Sequence, residues 1–232
     1  MLSLNQVSVY DAKTDSTILD SITFHVNPHE MVAIVGGSGS GKTVLTQIIM
    51  QALPCCFHST GELHWVNPLV KPAALITQHT SALNPNITIG VQLRMFAQRN
   101  INIPCLLNTL GLSNQALSAY PHQLSGGIAK RVLSCLALVQ GTPLLLADEP
   151  SCGLDSSNAI RLMTLYKSWS KLTSSFLIIS HDLSLMCQFV DRILIMNEGT
   201  IIEETTPAQI ISGQCHSYTQ ALWQSQPRHW YL

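Results

Sequence analysis

The stretch MVAIVGGSGSGKTVLTQII, Met31 to Ile49, decides the fold. Its first five residues form a continuous apolar run, the mark of a strand buried on both faces. Glycines stop the run, and apolar residues then return at helical spacing. Strand, glycine-rich turn and helix follow one another, and the turn, Gly36 to Thr43, satisfies G-x-x-x-x-G-K-[ST]. A side chain at Gly36, Gly37, Gly39 or Gly41 would keep backbone N–H groups from wrapping a phosphate, so Gly36, Gly37, Ser38, Gly39, Ser40 and Gly41 are the expected cradle. Lys42 is expected to reach the terminal phosphates of a nucleotide, and Thr43 to ligate Mg²⁺.

Outward from this turn, LSLNQVSVY and ILDSITFHV alternate apolar and polar residues around the polar DAKTDST, which predicts two antiparallel strands in a small β lobe over about residues 1–30. Further apolar runs, AALIT (73–77), PLLLADEP (143–150), SFLIIS (175–180) and RILIMN (192–197), are mostly separated by helix-length segments. That order predicts an α/β fold with a mainly parallel sheet. From Gln78 to Ser125 no strand pattern occurs, and Pro85, Pro104 and Pro121 break the chain into short amphipathic pieces, so a helical subdomain is expected over about residues 79–133 of a single domain spanning 1–232.

Composition narrows the classes of function. The 232 residues are 46% hydrophobic and carry a formal charge of -1, which gives no positive field for nucleic acid. No run of 18 apolar residues occurs, so neither a membrane span nor a signal peptide is expected. Seven cysteines without a C-x-x-C pair suit a reducing compartment. Charged residues make up 11%, against about 25% in an average soluble domain, which suggests that a partner covers part of the surface.

Two further stretches carry chemistry. LLLADE ends a buried strand in two acids, which is costly unless a cation meets them at the strand's C-terminal edge. Asp148 is expected to hold Mg²⁺ through water, and Glu149 to orient or deprotonate an attacking water. LSGGIAKR, Leu124 to Arg131, places Ser125, Gly126 and Gly127 at a helix start, a favourable place for an anion. No obvious strand precedes it and the chain already has a phosphate loop, so whose phosphate it would meet stays open at this level.

These motifs in this order, GGSGSGKT, LSGGIAKR, LLLADEP, SCGLD and LIISHDL, resemble the ATP-binding cassette (ABC) transporter ATPases over nearly the whole chain. The resemblance implies a phosphate-loop NTPase core with an antiparallel β lobe and a helical insertion, binding ATP with Mg²⁺. It implies two nucleotide domains meeting head to tail, with Ser125, Gly126 and Gly127 of one capping the γ-phosphate held by the other. It further implies that Tyr10 stacks on adenine, Gln78 senses Mg²⁺ and the attacking water, Asp155 sits in the loop crossing the dimer seam, and His181 contacts the γ-phosphate. By sequence alone Tyr10 could equally anchor a strand end, and His181 could cap the following helix.

A narrower likeness, carried by the LNP of QHTSALNP and by HSYTQAL, is to the peptide, dipeptide and nickel branch of bacterial importers. It implies permease subunits, a second related ATPase in a heterodimer, an extracytoplasmic solute-binding protein, and a place at the cytoplasmic face of the plasma membrane. The short end after HSYTQAL leans toward nickel or a metallophore. An exporter cassette and a soluble ABC ATPase acting on nucleic acid or ribosomes are the alternatives. One departure stands out: Lys130 occupies a signature position where the family usually has Gln, and a cation there is expected to alter contacts across the seam. Cys55, Cys56, His58 and His64 crowd together, but adjacent cysteines are poor chelate geometry, and a buried Cys pair beside surface histidines is the expected arrangement.

Overall fold

The computed structural model describes residues 1–66, 73–98, 101–172 and 174–226. The remaining positions lie outside the described residues, including those that fall within the expected 1–232 domain and 79–133 subdomain. β1 (Leu2–Asp11) and β2 (Thr17–Val26) pair antiparallel as expected, and β3 (Met31–Gly36) is buried at every position. α1 (Lys42–Ile49) follows the glycine turn, with Gly41 as its N-cap at φ 98°, a left-handed conformation that suits glycine. β4 (Phe57–Trp65), unexpected from the sequence, joins the other edge of β1, giving a three-stranded sheet in the order β2-β1-β4.

The main sheet is built from β3 with β5 (Ala73–Ile76), β6 (Leu144–Asp148), β7 (Ser175–Ser180), β8 (Arg192–Asn197) and β9 (Thr200–Thr205). The strand order is β5-β6-β7-β3-β8-β9, parallel except for the antiparallel edge pair β8-β9. Side chains alternate across it, as strand geometry requires. Met31, Ala33 and Val35 of β3, with Phe176 and Ile178 of β7, join one apolar cluster; Val32, Ile34, Leu177 and Ile179 join a second that includes the residues of the β lobe.

Between β5 and β6 lie short helices, α2 (Ile89–Phe96) and α3 (Ile103–Thr109), several 3₁₀ turns, and the longer α4 (Gly126–Leu138). α5 (Ser156–Leu172), α6 (Leu183–Phe189), α7 (Pro207–Ile211) and α8 (Ser217–Ser225) complete the chain. Because β3, β6 and β7 run parallel, their C-terminal ends share one edge, and the loops that leave this edge build the site.

Candidate active site

A cavity of about 470 Å³ opens at this edge. It is lined by the loop from Ser38 to Thr43, by Asp148 and Glu149 at the end of β6, by Gln78 after β5, and by His181 after β7. Five segments remote in sequence therefore converge there, Ile18 at the start of β2 being the fifth.

Gly36 and Gly37 lie behind the lining, and their carbonyls accept hydrogen bonds from Lys42 Nζ at 2.9 and 2.7 Å. A third bond, to Ser40 Oγ at 3.2 Å, completes the wrap of the ammonium within its own loop. Burial pulls the Lys42 ammonium below its ordinary range, while Glu149 and Asp148 pull it up. Burial, helped by the Glu149 charge, pushes Asp148 up, and Lys42 and His79 oppose this.

Glu149 is the most constrained member. Its φ of 47° is left-handed, a conformation costing a non-glycine residue about 1–3 kcal/mol. Its side chain is largely buried, Oε1 accepts a 2.8 Å hydrogen bond from His181 Nδ1, and Oε2 is buried with no partner. A buried carboxylate oxygen without a partner, beside a lysine and a second acid, calls for an explanation that a functional role supplies. Asp182, not His181, caps α6, its side chain accepting from the Leu185 N–H at 2.9 Å. This leaves the His181 ring free for Glu149.

Other expected site residues lie outside the cavity lining. Tyr10 stacks on His58 of β4, with ring centroids 5.1 Å apart. Ser125 is the N-cap residue of α4 but makes no side-chain capping bond. Beyond its own helix backbone and chain neighbours, Gly126 has no atom within 4 Å of where a Cβ would stand. Asp155 immediately precedes α5 and accepts from the Asn158 N–H at 2.7 Å, from Ser157 Oγ and from Asn158 Nδ2, bonds that hold its carboxyl below the usual range.

Lys130 donates to the backbone carbonyl of Cys152, whose thiol lies 3.7 Å from Gln78 Nε2. The signature helix, the loop after β6 and the Gln78 loop thus meet at one cysteine, a link that no motif announces. The expectation of a buried Cys55–Cys56 pair is corrected: both thiols are exposed in the turn before β4. Among the described residues no group of three or more His, Cys, Asp or Glu side chains is placed to hold a metal.

The residues that line the cavity include three able to offer the hard oxygens Mg²⁺ takes: Thr43 a hydroxyl, Gln78 an amide oxygen and Asp148 a carboxylate. The glycine cradle suits a nucleotide's phosphates. A Cβ on Gly36 would stand 2.2 Å from the Met196 carbonyl oxygen, and one on Gly41 2.6 Å from Leu19 Cδ2.

The sequence model of the ABC transporter family matches residues 19–152, more than half the chain. The chain belongs to the ABC transporter ATPase family. It is 32% identical to the dipeptide transport ATP-binding protein DppD of Haemophilus influenzae, the match covering 98% of this chain and 78% of that protein. It is 30% identical to the peptidoglycan transport ATP-binding protein YejF of Agrobacterium fabrum over 98% of this chain, but spans only 47% of that longer protein. The fold matches the dimeric post-hydrolysis cassette MJ0796 bound to ADP and phosphate, with a TM-score of 0.75 and 24% identity, over 89% of this chain and 99% of that one. The cassette is an ATP-hydrolysing enzyme with a phosphate-loop NTPase core, and among the described residues no helix is long and apolar enough to cross a membrane.

Proposed function

We propose that this cassette drives an importer of small peptides, working at the cytoplasmic face of the plasma membrane as one of two related ATPases. The observation that carries its ATPase part is the cavity in which the phosphate loop, Asp148, Glu149, Gln78 and His181 converge. The names of the relatives, dipeptide and peptidoglycan transport, support peptides over nickel or a metallophore.

In this reading backbone N–H groups from Gly36 to Thr43 cradle the phosphates of ATP, and Lys42 exchanges the loop carbonyls for phosphate oxygens. Thr43, Gln78 and Asp148 would hold Mg²⁺. When bound, the cation neutralises charge that develops on the transferred phosphoryl group. Glu149 orients the attacking water and takes its proton, while His181 holds one of its carboxylate oxygens. His181 also stands within the same cavity for contact with the γ-phosphate. Tyr10, backed by His58, offers a ring face to adenine. Ser125, Gly126, Gly127 and Asp155 serve the nucleotide held by the partner cassette. α2 exposes Val91, Met95 and Phe96, an apolar surface suited to a permease subunit, while a solute-binding protein would deliver cargo without touching this chain.

Tagging the chain, extracting it from native membranes in mild detergent and identifying its companions by mass spectrometry tests the assignment. Two permease subunits and a sibling ATPase are the expected companions. Recovery of soluble partners only, or of nucleic acid, contradicts the importer and favours a cassette serving another machine. Uptake of a labelled dipeptide by the recovered complex, against nickel and its chelates, then decides the cargo.

A further inference from the structure

HSYTQAL lies at the start of α8, and the catalytic motifs do not account for it. The helix is fastened at its first turn. Glu203 of β9 accepts from the His216 N–H at 2.9 Å and from the Thr219 hydroxyl, and His216 caps the helix through Nδ1. From this anchor α8 reaches both halves of the active site. The Tyr218 hydroxyl lies over the phosphate loop, where a Cβ on Gly37 would stand 3.5 Å from it.

At the other end Gln226 grips the turn between β7 and α6 with both atoms of its amide. Nε2 donates to the His181 carbonyl oxygen at 2.7 Å, and Oε1 accepts from the Ser184 N–H at 3.4 Å. His181 is the residue whose ring holds Glu149 at 2.8 Å. A continuous chain of contacts therefore runs from α8 through the His181 backbone to Glu149, while the Tyr218 hydroxyl stands beside the loop that carries Lys42. Tyr218, Leu222 and Trp223 pack this helix against the main apolar cluster, so it is seated rather than loosely apposed.

We propose that α8 is a strap setting the spacing between the phosphate loop and the His181 turn, with Tyr218 and Gln226 as positioning residues for ATP hydrolysis. The inference rests on the ATPase reading of the cavity. Displacing a reacting group by about 1 Å can cost a hundredfold in rate, and a turn held only by the Asp182 cap, the Ser180 hydroxyl and the His181–Glu149 bond keeps part of that freedom. The strap removes it.

The test is Gln226→Leu in the full chain, together with the membrane subunits that co-purify with it. Its readouts are hydrogen–deuterium exchange in the peptide spanning residues 181–186 and steady-state ATP turnover. Exchange there is expected to accelerate, and kcat to fall on the order of tenfold with KM for ATP within about twofold, because loss of positioning acts on the transition state. Tyr218→Phe, which keeps the ring and removes the hydroxyl, is expected to weaken ATP binding about threefold without disturbing residues 181–186. Gln226→Asn, an amide on a shorter stem, replaces the leucine variant should that unfold, with the same expectations. Unchanged exchange at 181–186, or a kcat within about twofold of wild type, overturns the strap. A wild-type complex that turns over no ATP overturns the ATPase reading instead, and the exchange comparison still decides whether the strap exists.

Discussion

At Gly36 a Cβ would meet the Met196 carbonyl oxygen at 2.2 Å, and a backbone atom of a central strand cannot step aside. Gly36→Ala is therefore expected to lower the melting temperature, at a cost of about 1–3 kcal/mol from overpacking. Gly126→Ala makes the opposite case: the space around it is open, so stability should stay within about 0.5 kcal/mol of wild type. If the signature serves a partner's nucleotide, the same substitution still lowers ATP turnover, and paired melting and turnover assays separate the two effects. The thiols offer a further check. Burial pushes Cys135 and Cys187 up to about 12, so at pH 8 both remain protonated and resist iodoacetamide, while the exposed Cys55, Cys56 and Cys105 react first. Rapid alkylation of Cys135 in the native protein, read by mass spectrometry, would contradict the packing described. Gln78 and His181 were reached only through the family resemblance, but the phosphate loop and the Asp148–Glu149 pair were legible in the sequence because phosphate and metal chemistry dictates their types. His58 beneath Tyr10, the Cys152 carbonyl at Lys130 and Gln226 at His181 were not, because each contact depends on how distant segments approach.

Elements differed in legibility for a similar reason. The buried strands of the main sheet announced themselves as apolar runs bounded by turn residues, because both of their faces are covered. β4 did not: most of its residues are exposed, and Gly61, at φ 87°, packs against Gln6 where the pairing with β1 shifts register. β9 escaped as well, being a half-exposed edge strand, although Glu198-Gly199 between two runs, both at positive φ, is a hairpin signal that could have found it. Between these elements Arg192 is the principal tie. Its guanidinium bonds Glu30 through two nitrogens at 2.9 and 3.1 Å, Glu204 of β9 at 2.6 Å and the His25 carbonyl of β2 at 2.6 Å. Its side chain is only 12% exposed and that of Glu30 14%, so Arg192→Met leaves a nearly buried carboxylate unpaired. A loss of about 3 kcal/mol is expected in urea denaturation, and one below about 0.5 kcal/mol would show that the cluster is solvated.

On the scale of the whole molecule, two apolar clusters back one sheet, and the chemistry sits on its single C-terminal edge. That architecture followed from the order of apolar runs and from the phosphate loop. The relation of Ser125 and Asp155 to a nucleotide did not, because neither lines the chain's own cavity. Both read as parts offered to a second cassette, so Mg²⁺-ATP is expected to bring a Glu149→Gln chain together with its sibling ATPase, a shift visible by light scattering, and Lys42→Ala is expected to abolish it. The most direct measurement is ATP binding and phosphate release by the wild-type complex beside its Glu149→Gln variant. Both should bind ATP with similar affinity, while phosphate release by the variant falls by about a hundredfold or more. Undiminished hydrolysis by Glu149→Gln, or failure of either protein to bind ATP, would contradict the account.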